Sequence, residues 1–158
     1  MSKQTFYETL QSQLEELISA ETNWLANLAN AAALLYHELT DINWAGFYLL
    51  QGKELVLGPF QGRPACVRIP LGKGVCGTAA QKRSTIVVPD VHRFPGHIAC
   101  DPASRSELVV PWTSGDTLLG VLDLDSPLLA RFDCQDAMGL ERMIPVLNRH
   151  AIPRRWLS

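Results

Sequence analysis

Across residues 1–40 apolar side chains recur every three to four positions, the period of an amphipathic helix. Phe6, Leu10, Leu14, Leu17 and Ile18 mark one helix with Ser2 as its cap. Trp24, Leu25, Leu28, Ala32, Leu35, Tyr36 and Leu39 give a second helix a broad apolar face, and Thr22 is placed to cap it. From Asn43 the period falls to two. Trp44–Leu50 and Glu54–Leu57 flank Gln51-Gly52-Lys53 as a hairpin, and Ala65–Ile69 is a third strand ended by Pro70. Val75–Lys82 reads as a short helix and Thr85–Val88 as a strand stopped by Pro89. Residues 90–105 show no periodicity, and a loop of that length in a compact domain usually carries function. Ser106–Trp112 and Thr117–Asp125 are two further strands around Ser114-Gly115-Asp116. A last helix starts at Asp133, with Asp136 placed for a capping box and Pro145 expected to kink or end it. The pattern predicts an α+β domain: a mostly antiparallel six-stranded sheet (residues 43–125) flanked by helices at 1–40 and 133–148, with a tail at 149–158.

The 158 residues suit one domain, and 47% hydrophobic against 19% charged residues makes it globular. A net charge of −2 supplies no basic field for a polyphosphate backbone, so nucleic acid is not the expected partner. The amino terminus carries no apolar signal segment, and no run is apolar enough to span a bilayer. The expectation is therefore a cytoplasmic protein without membrane association. Four cysteines are too few for a disulfide-stapled scaffold, and thiols in a reducing compartment stay reduced unless they do redox chemistry or hold a metal.

Gly72-Lys73-Gly74-Val75-Cys76-Gly77 matches the spacing of a dinucleotide-binding turn. Its helix is too short for a crossover unit and Pro70 interrupts the junction, so we read a tight glycine turn. No Cys-x-x-Cys pair occurs, although His92, His97 and Cys100 have tolerable zinc spacing, with Cys66 or Cys76 to complete a tetrad. Cys66 and Cys76, at strand and helix-start positions, fit small buried hydrophobes. Cys100 lies in the long loop between Arg93 and Arg105, where cations favour a nucleophilic thiolate. Strict alternation along residues 117–125 puts Leu118, Gly120, Leu122 and Leu124 on one face and Leu119, Val121, Asp123 and Asp125 on the other. Two carboxylates two positions apart on an apolar strand repel unless a cation lies between them. Trp44, Gly46 and Tyr48 share a face, with Gly46 leaving room between the aromatics. A pocket built from these two strands suits a small zwitterion or ammonium compound.

These residues resemble the free methionine-(R)-sulfoxide reductases, a branch of the GAF-domain proteins, over nearly the whole chain. The resemblance rests on Cys66, Cys76 and Cys100, set in Pro64-Ala65-Cys66, Gly74-Val75-Cys76-Gly77 and His97-Ile98-Ala99-Cys100-Asp101. Asn43-Trp44-Ala45-Gly46-Phe47-Tyr48, Ser104-Arg105-Ser106-Glu107 and Leu122-Asp123-Leu124-Asp125-Ser126 extend it. It implies a single GAF-like domain that reduces free L-methionine (R)-S-oxide. Cys100 would attack the sulfoxide sulfur. Cys66 would be the resolving thiol and Cys76 an auxiliary one, with the order of resolution open. Glu107, Asp123 and Asp125 would line the substrate pocket, any of them able to hold the proton the reaction needs, and Trp44 and Tyr48 would form its aromatic wall. The sulfenic acid left on Cys100 would condense with Cys66 to a disulfide, which thioredoxin reopens. No metal or organic cofactor is implied, and the family suggests a homodimer. Cys134 matches no family cysteine. The competing expectations are a GAF sensor module that binds a small ligand without catalysis, and a zinc-bound domain.

Overall fold

The computed structural model describes residues 1–154. The helices α1 (Lys3–Ile18) and α2 (Trp24–Glu38) lead into strands β1 (Trp44–Gln51), β2 (Glu54–Gly62) and β3 (Arg68–Pro70). After α3 (Gly74–Lys82) and β4 (Ile86–Val88) the chain makes one 3-10 turn (Val91–Arg93). It then forms β5 (Ser106–Ser114), β6 (Thr117–Ser126), α4 (Cys134–Glu141) and α5 (Met143–His150). The six strands form one sheet in the order β3-β2-β1-β6-β5-β4, every neighbouring pair antiparallel. No helix among the described residues is long and apolar enough to cross a membrane.

The sheet separates two apolar layers. On one face α1, α2, α4 and α5 bury Leu10, Leu14, Leu28 and Leu35 against Phe47, Leu108, Trp112, Leu122 and Leu124. On the other, the short α3 covers Tyr48, Leu55, Ile69, Val109 and Val121. Because α3 has only nine residues, it leaves part of that second face to the loop before β5. That uncovered part is where a pocket can form.

Several expected boundaries move, each for a local reason. Ser2 caps α1 as expected, but Asn23 rather than Thr22 caps α2, its side chain accepting from the Ala26 N–H at 2.9 Å. β2 runs on to Gly62 through Gly58 and Pro59. A bulge opposite Phe47, between Gly46 and Tyr48, takes up the register there, where proline has no N–H to give a ladder. The third strand shrinks to Arg68–Pro70, so Cys66 lies in irregular chain before it rather than in a strand. Pro70 is tolerated because β3 is an edge. The last helix is two helices divided at Arg142. Pro145 is the third residue of α5, where a helix has no intrahelical acceptor for an N–H anyway. Asp133 and Asp136 form the expected capping box on α4, and Lys3 holds the Asp133 carboxyl down at about 2.

One expectation about faces is wrong in part. Leu118 packs with Val121 under α3, whereas Leu119 joins Leu122 under the other helices. The cause is a bulge: Trp112 pairs with Gly120 but Thr113 pairs with Leu118, so Leu119 is the extra residue and the alternation slips by one. From Gly120 onward the expected faces hold. The tail expectation at 149–158 is partly outside the described residues. Arg149 and His150 finish α5, and Ala151 and Pro153 are buried.

Candidate active site

The register of the three central strands assembles one acidic centre. Glu107 on β5 pairs with Asp125 on β6, and Asp123 lies two positions along, between Gly46 of β1 and Val109 of β5. Directly opposite strand residues hold their Cβ atoms about 5 Å apart, so three carboxyls share one patch of the α3 face. Glu107 is 6% and Asp123 5% exposed. Burial, and then the charge of Asp123, push Glu107 and Asp125 well above the usual carboxylate range. Burial raises Asp123 too, but the Glu107 carboxyl and the Cys76 thiol direct hydrogen bonds at it and favour its charged form. Burial and neighbouring charge therefore favour protons on Glu107 and Asp125, and the hydrogen bonds aimed at Asp123 oppose the effect of burial there. Asp123 Oδ1 is buried without a hydrogen-bond partner among the described residues.

Aromatic rings wall one side. Trp44 stacks on Tyr48 with ring centroids 5.9 Å apart and on Phe60 at 5.2 Å. The room left by Gly46 is used by those rings, since a Cβ there would run into Phe60 and lie 2.8 Å from Trp44 Cη2. The Tyr48 hydroxyl donates to the Cys66 carbonyl at 2.9 Å, and burial keeps that phenol protonated far above neutral pH. On the other side, Gly72 and Gly74 have φ of 83° and 62°, and the Gly72 N–H donates to the Gly77 carbonyl at 2.8 Å. The glycine motif is thus a tight turn. It starts α3, whose first turn has no side-chain cap, beside the acids. Cys76 is 4% exposed, and burial together with Asp123 keeps its thiol protonated.

The loop at residues 90–105 closes the pocket. Cys66 and Cys100, 34 residues apart, are joined by a disulfide with Cα atoms 5.5 Å apart, while Cys76 and Cys134 are free. Trp44, Tyr48, Cys76, Cys100, Glu107, Asp123 and Asp125 all line one cavity; Cys66 is tied to it through the disulfide. Cys134 lies apart from it, exposed at the start of α4. His92, His97 and Cys100 do not present a zinc set in this state, because the Cys100 sulfur is already bonded. Sequence reasoning missed the residues that hold the loop. Asn43 Nδ2 donates to Asp101 Oδ2 at 3.0 Å and to Ser104 Oγ at 3.1 Å, next to Cys100. It also missed Ile98, whose side chain lies 3.2 Å from where a Cβ of Gly74 would stand. These contacts are remote in sequence and leave no periodic signal.

A family model for the GAF domain matches residues 14–142. The free methionine-R-sulfoxide reductase of Escherichia coli is 52% identical over 149 residues, covering 94% of this chain and 90% of that protein. The free methionine-R-sulfoxide reductase of Saccharomyces cerevisiae is 45% identical over 160 residues, covering 96% and 89%. Among solved structures, free methionine-R-sulfoxide reductase from Neisseria meningitidis in complex with its substrate has a TM-score of 0.90 at 48% identity, covering 94% of this chain and 90% of that one.

Proposed function

The chain belongs to the GAF-domain family, in its free methionine-R-sulfoxide reductase branch, and from that premise we infer that it reduces free L-methionine (R)-S-oxide to L-methionine. The observation that carries this reading to the residues is a redox pair, Cys66 and Cys100, closed over a buried acidic pocket. Cys100 attacks the sulfoxide sulfur. Charge then builds on the sulfoxide oxygen, and a neutral carboxyl must supply a proton there. Glu107 holds one and faces the pocket. The oxygen passes to Cys100 as a sulfenic acid and methionine leaves. The Cys66 thiol displaces that oxygen as water, forming the disulfide, so two thiols and one sulfoxide give a disulfide, a thioether and water.

The charge balance of the pocket supports a free amino acid. One ammonium needs one carboxylate, and Asp123, with an unpartnered oxygen, is the ionised member. Asp125 completes the acidic seat. The uncapped first turn of α3 offers N–H donors to a substrate carboxylate. Trp44 and Tyr48 hold the methyl and sulfur against their faces. A peptide-bound residue has no ammonium and is excluded. Cys76 is an auxiliary thiol. A disulfide end state requires an external dithiol, which in this reading is thioredoxin. The reading extends to a homodimer in the cytoplasm, as the family pattern implies.

Racemic free methionine sulfoxide, incubated with the protein, thioredoxin and its reductase, should lose one epimer only. Cys100→Ser should abolish turnover and Cys134→Ser should leave it unchanged. Loss of neither epimer overturns the reading in favour of a non-catalytic sensor domain, and equal loss of both overturns the epimer-specific reductase.

A further inference from the structure

Cys76, Glu107 and Asp123 bring one sulfur and two carboxylate oxygens within 4.8 Å of one another, and all three residues are buried. Cys76 lies outside the disulfide, so this donor set persists when Cys66 and Cys100 are oxidised. Asp123 Oδ1 adds a second observation, a buried carboxylate oxygen with no hydrogen-bond partner among the described residues. We propose that these three side chains form a binding site for one thiophilic divalent cation, such as Zn²⁺ or Cd²⁺, whose occupancy shuts the pocket to substrate.

The donor types and the spacing agree with that chemistry. A thiolate selects soft ions over Mg²⁺ or Ca²⁺, and with two carboxylates the three ligands more than offset the charge of a divalent ion. Around a tetrahedral zinc, with Zn–S about 2.3 Å and Zn–O about 2.1 Å, sulfur and oxygen stand roughly 3.6 Å apart. Small side-chain rotations close the difference. The metal–sulfur bond forms as the Cys76 proton leaves to solvent, and a carboxyl proton held on Glu107 leaves in the same way. No electrons move. Cys76, Glu107 and Asp123 all line the cavity, so water from it would complete the coordination. The inhibitory part rests on the substrate reading above, because ion and ammonium both need Asp123.

Cadmium is the probe, with Cys134→Ser protein oxidised to the Cys66–Cys100 disulfide, so that Cys76 is its one free thiol. Equilibrium dialysis should give one Cd²⁺ per chain, with a cadmium–thiolate absorption band in the ultraviolet. Cys76→Ser should abolish the band, and Asp123→Asn should weaken binding by about 100-fold or more, since loss of even an outer partner costs 10–100-fold. Circular dichroism checks that both variants are folded, and Cys76→Ala serves as a second test at the thiol. No stoichiometric binding, or binding undiminished without the Cys76 sulfur, overturns the site. In protein carrying Cys66→Ser, Cys100→Ser and Cys134→Ser, which cannot turn over and keeps Cys76 as its one thiol, free methionine sulfoxide should raise the cadmium concentration needed for half occupancy; independence of the two overturns the inhibition while the site stands. Turnover measured without cadmium tests the reductase reading separately.

Discussion

Glu107→Gln should make the protein more stable at neutral pH while it disables the chemistry. The substitution keeps the shape and leaves an amide that can still donate to Asp123, but it removes a carboxyl that burial, and then the charge of Asp123, push well above its ordinary range. An acid whose pKa is raised by folding binds more protons in the native state than in the unfolded one. Its contribution is fully present below the unfolded pKa and is lost as pH rises toward the folded value. The unfolded glutamate titrates near pH 4.3, so between pH 5 and 7 the unfolded chain has largely given up a proton that the native pocket keeps. A proton kept by the native pocket and lost by the unfolded chain costs at most about 1.4 kcal/mol per pH unit, so from pH 5 to 7 the cost reaches at most about 3 kcal/mol. For a chain of this size that is at most roughly 12 °C in Tm, at about 2–4 °C per kcal/mol.

The assay is thermal or urea unfolding of both proteins at pH 5, 6 and 7, read as the difference between them. His97, held low by burial and by His92, titrates with the opposite sign, and it cancels because both proteins contain it. The variant's advantage should grow with pH, by up to about 3 kcal/mol over the range, and its kcat should fall by about 10²–10⁴ as a general acid is lost. A difference that does not change with pH would refute the claim that Glu107 holds its proton.

Three further perturbations probe the supports of the site. Gly46→Ala drives a methyl into Phe60 and the Trp44 ring, an overpacking that should cost about 1–3 kcal/mol in calorimetry and raise KM through the displaced wall. Asn43→Ala frees Asp101 and Ser104 beside Cys100. It should slow Cys66–Cys100 disulfide formation and lower kcat by about 10–100-fold with little change in KM, whereas a fall in KM-dependent terms alone would place Asn43 outside the chemistry. Tyr7→Phe removes the buried hydroxyl that donates to Asp136 at 2.7 Å between α1 and α4. Denaturant unfolding should show a loss of about 1–3 kcal/mol while turnover is unchanged.

What could be read without coordinates follows from what leaves a local pattern. The period of three to four before Asn43 and the period of two after it located both helices and most strands, because each element must bury one face. Asp123 and Asp125 were read onto one face because β6 is regular from Gly120 onward. The bulge at Leu119 escaped notice for a chemical reason: Leu118 and Leu119 are the same residue, so exchanging their faces leaves the hydrophobic pattern intact. Phe60 was lost from the aromatic wall because Gly58-Pro59 reads as the end of a strand, and the bulge opposite Phe47 that carries β2 past it is a property of the pair. The link from Asn43 to Asp101 spans 58 residues and has no periodicity to betray it.

The acids show the same division at the level of chemistry. Their presence and facing were legible, but which of them is ionised was not. A proton is assigned by the number of donors aimed at each oxygen and by the depth of burial, and both are set by packing. Glu107 and Cys76 approach Asp123 from β5 and α3, elements that meet only when the sheet is assembled, and the Cys100 loop then closes over them. A pocket whose acids differ in their hold on a proton is therefore a product of tertiary structure, and in the proposed reaction Asp123, the member that receives hydrogen bonds, is the one that meets the ammonium of a free amino acid.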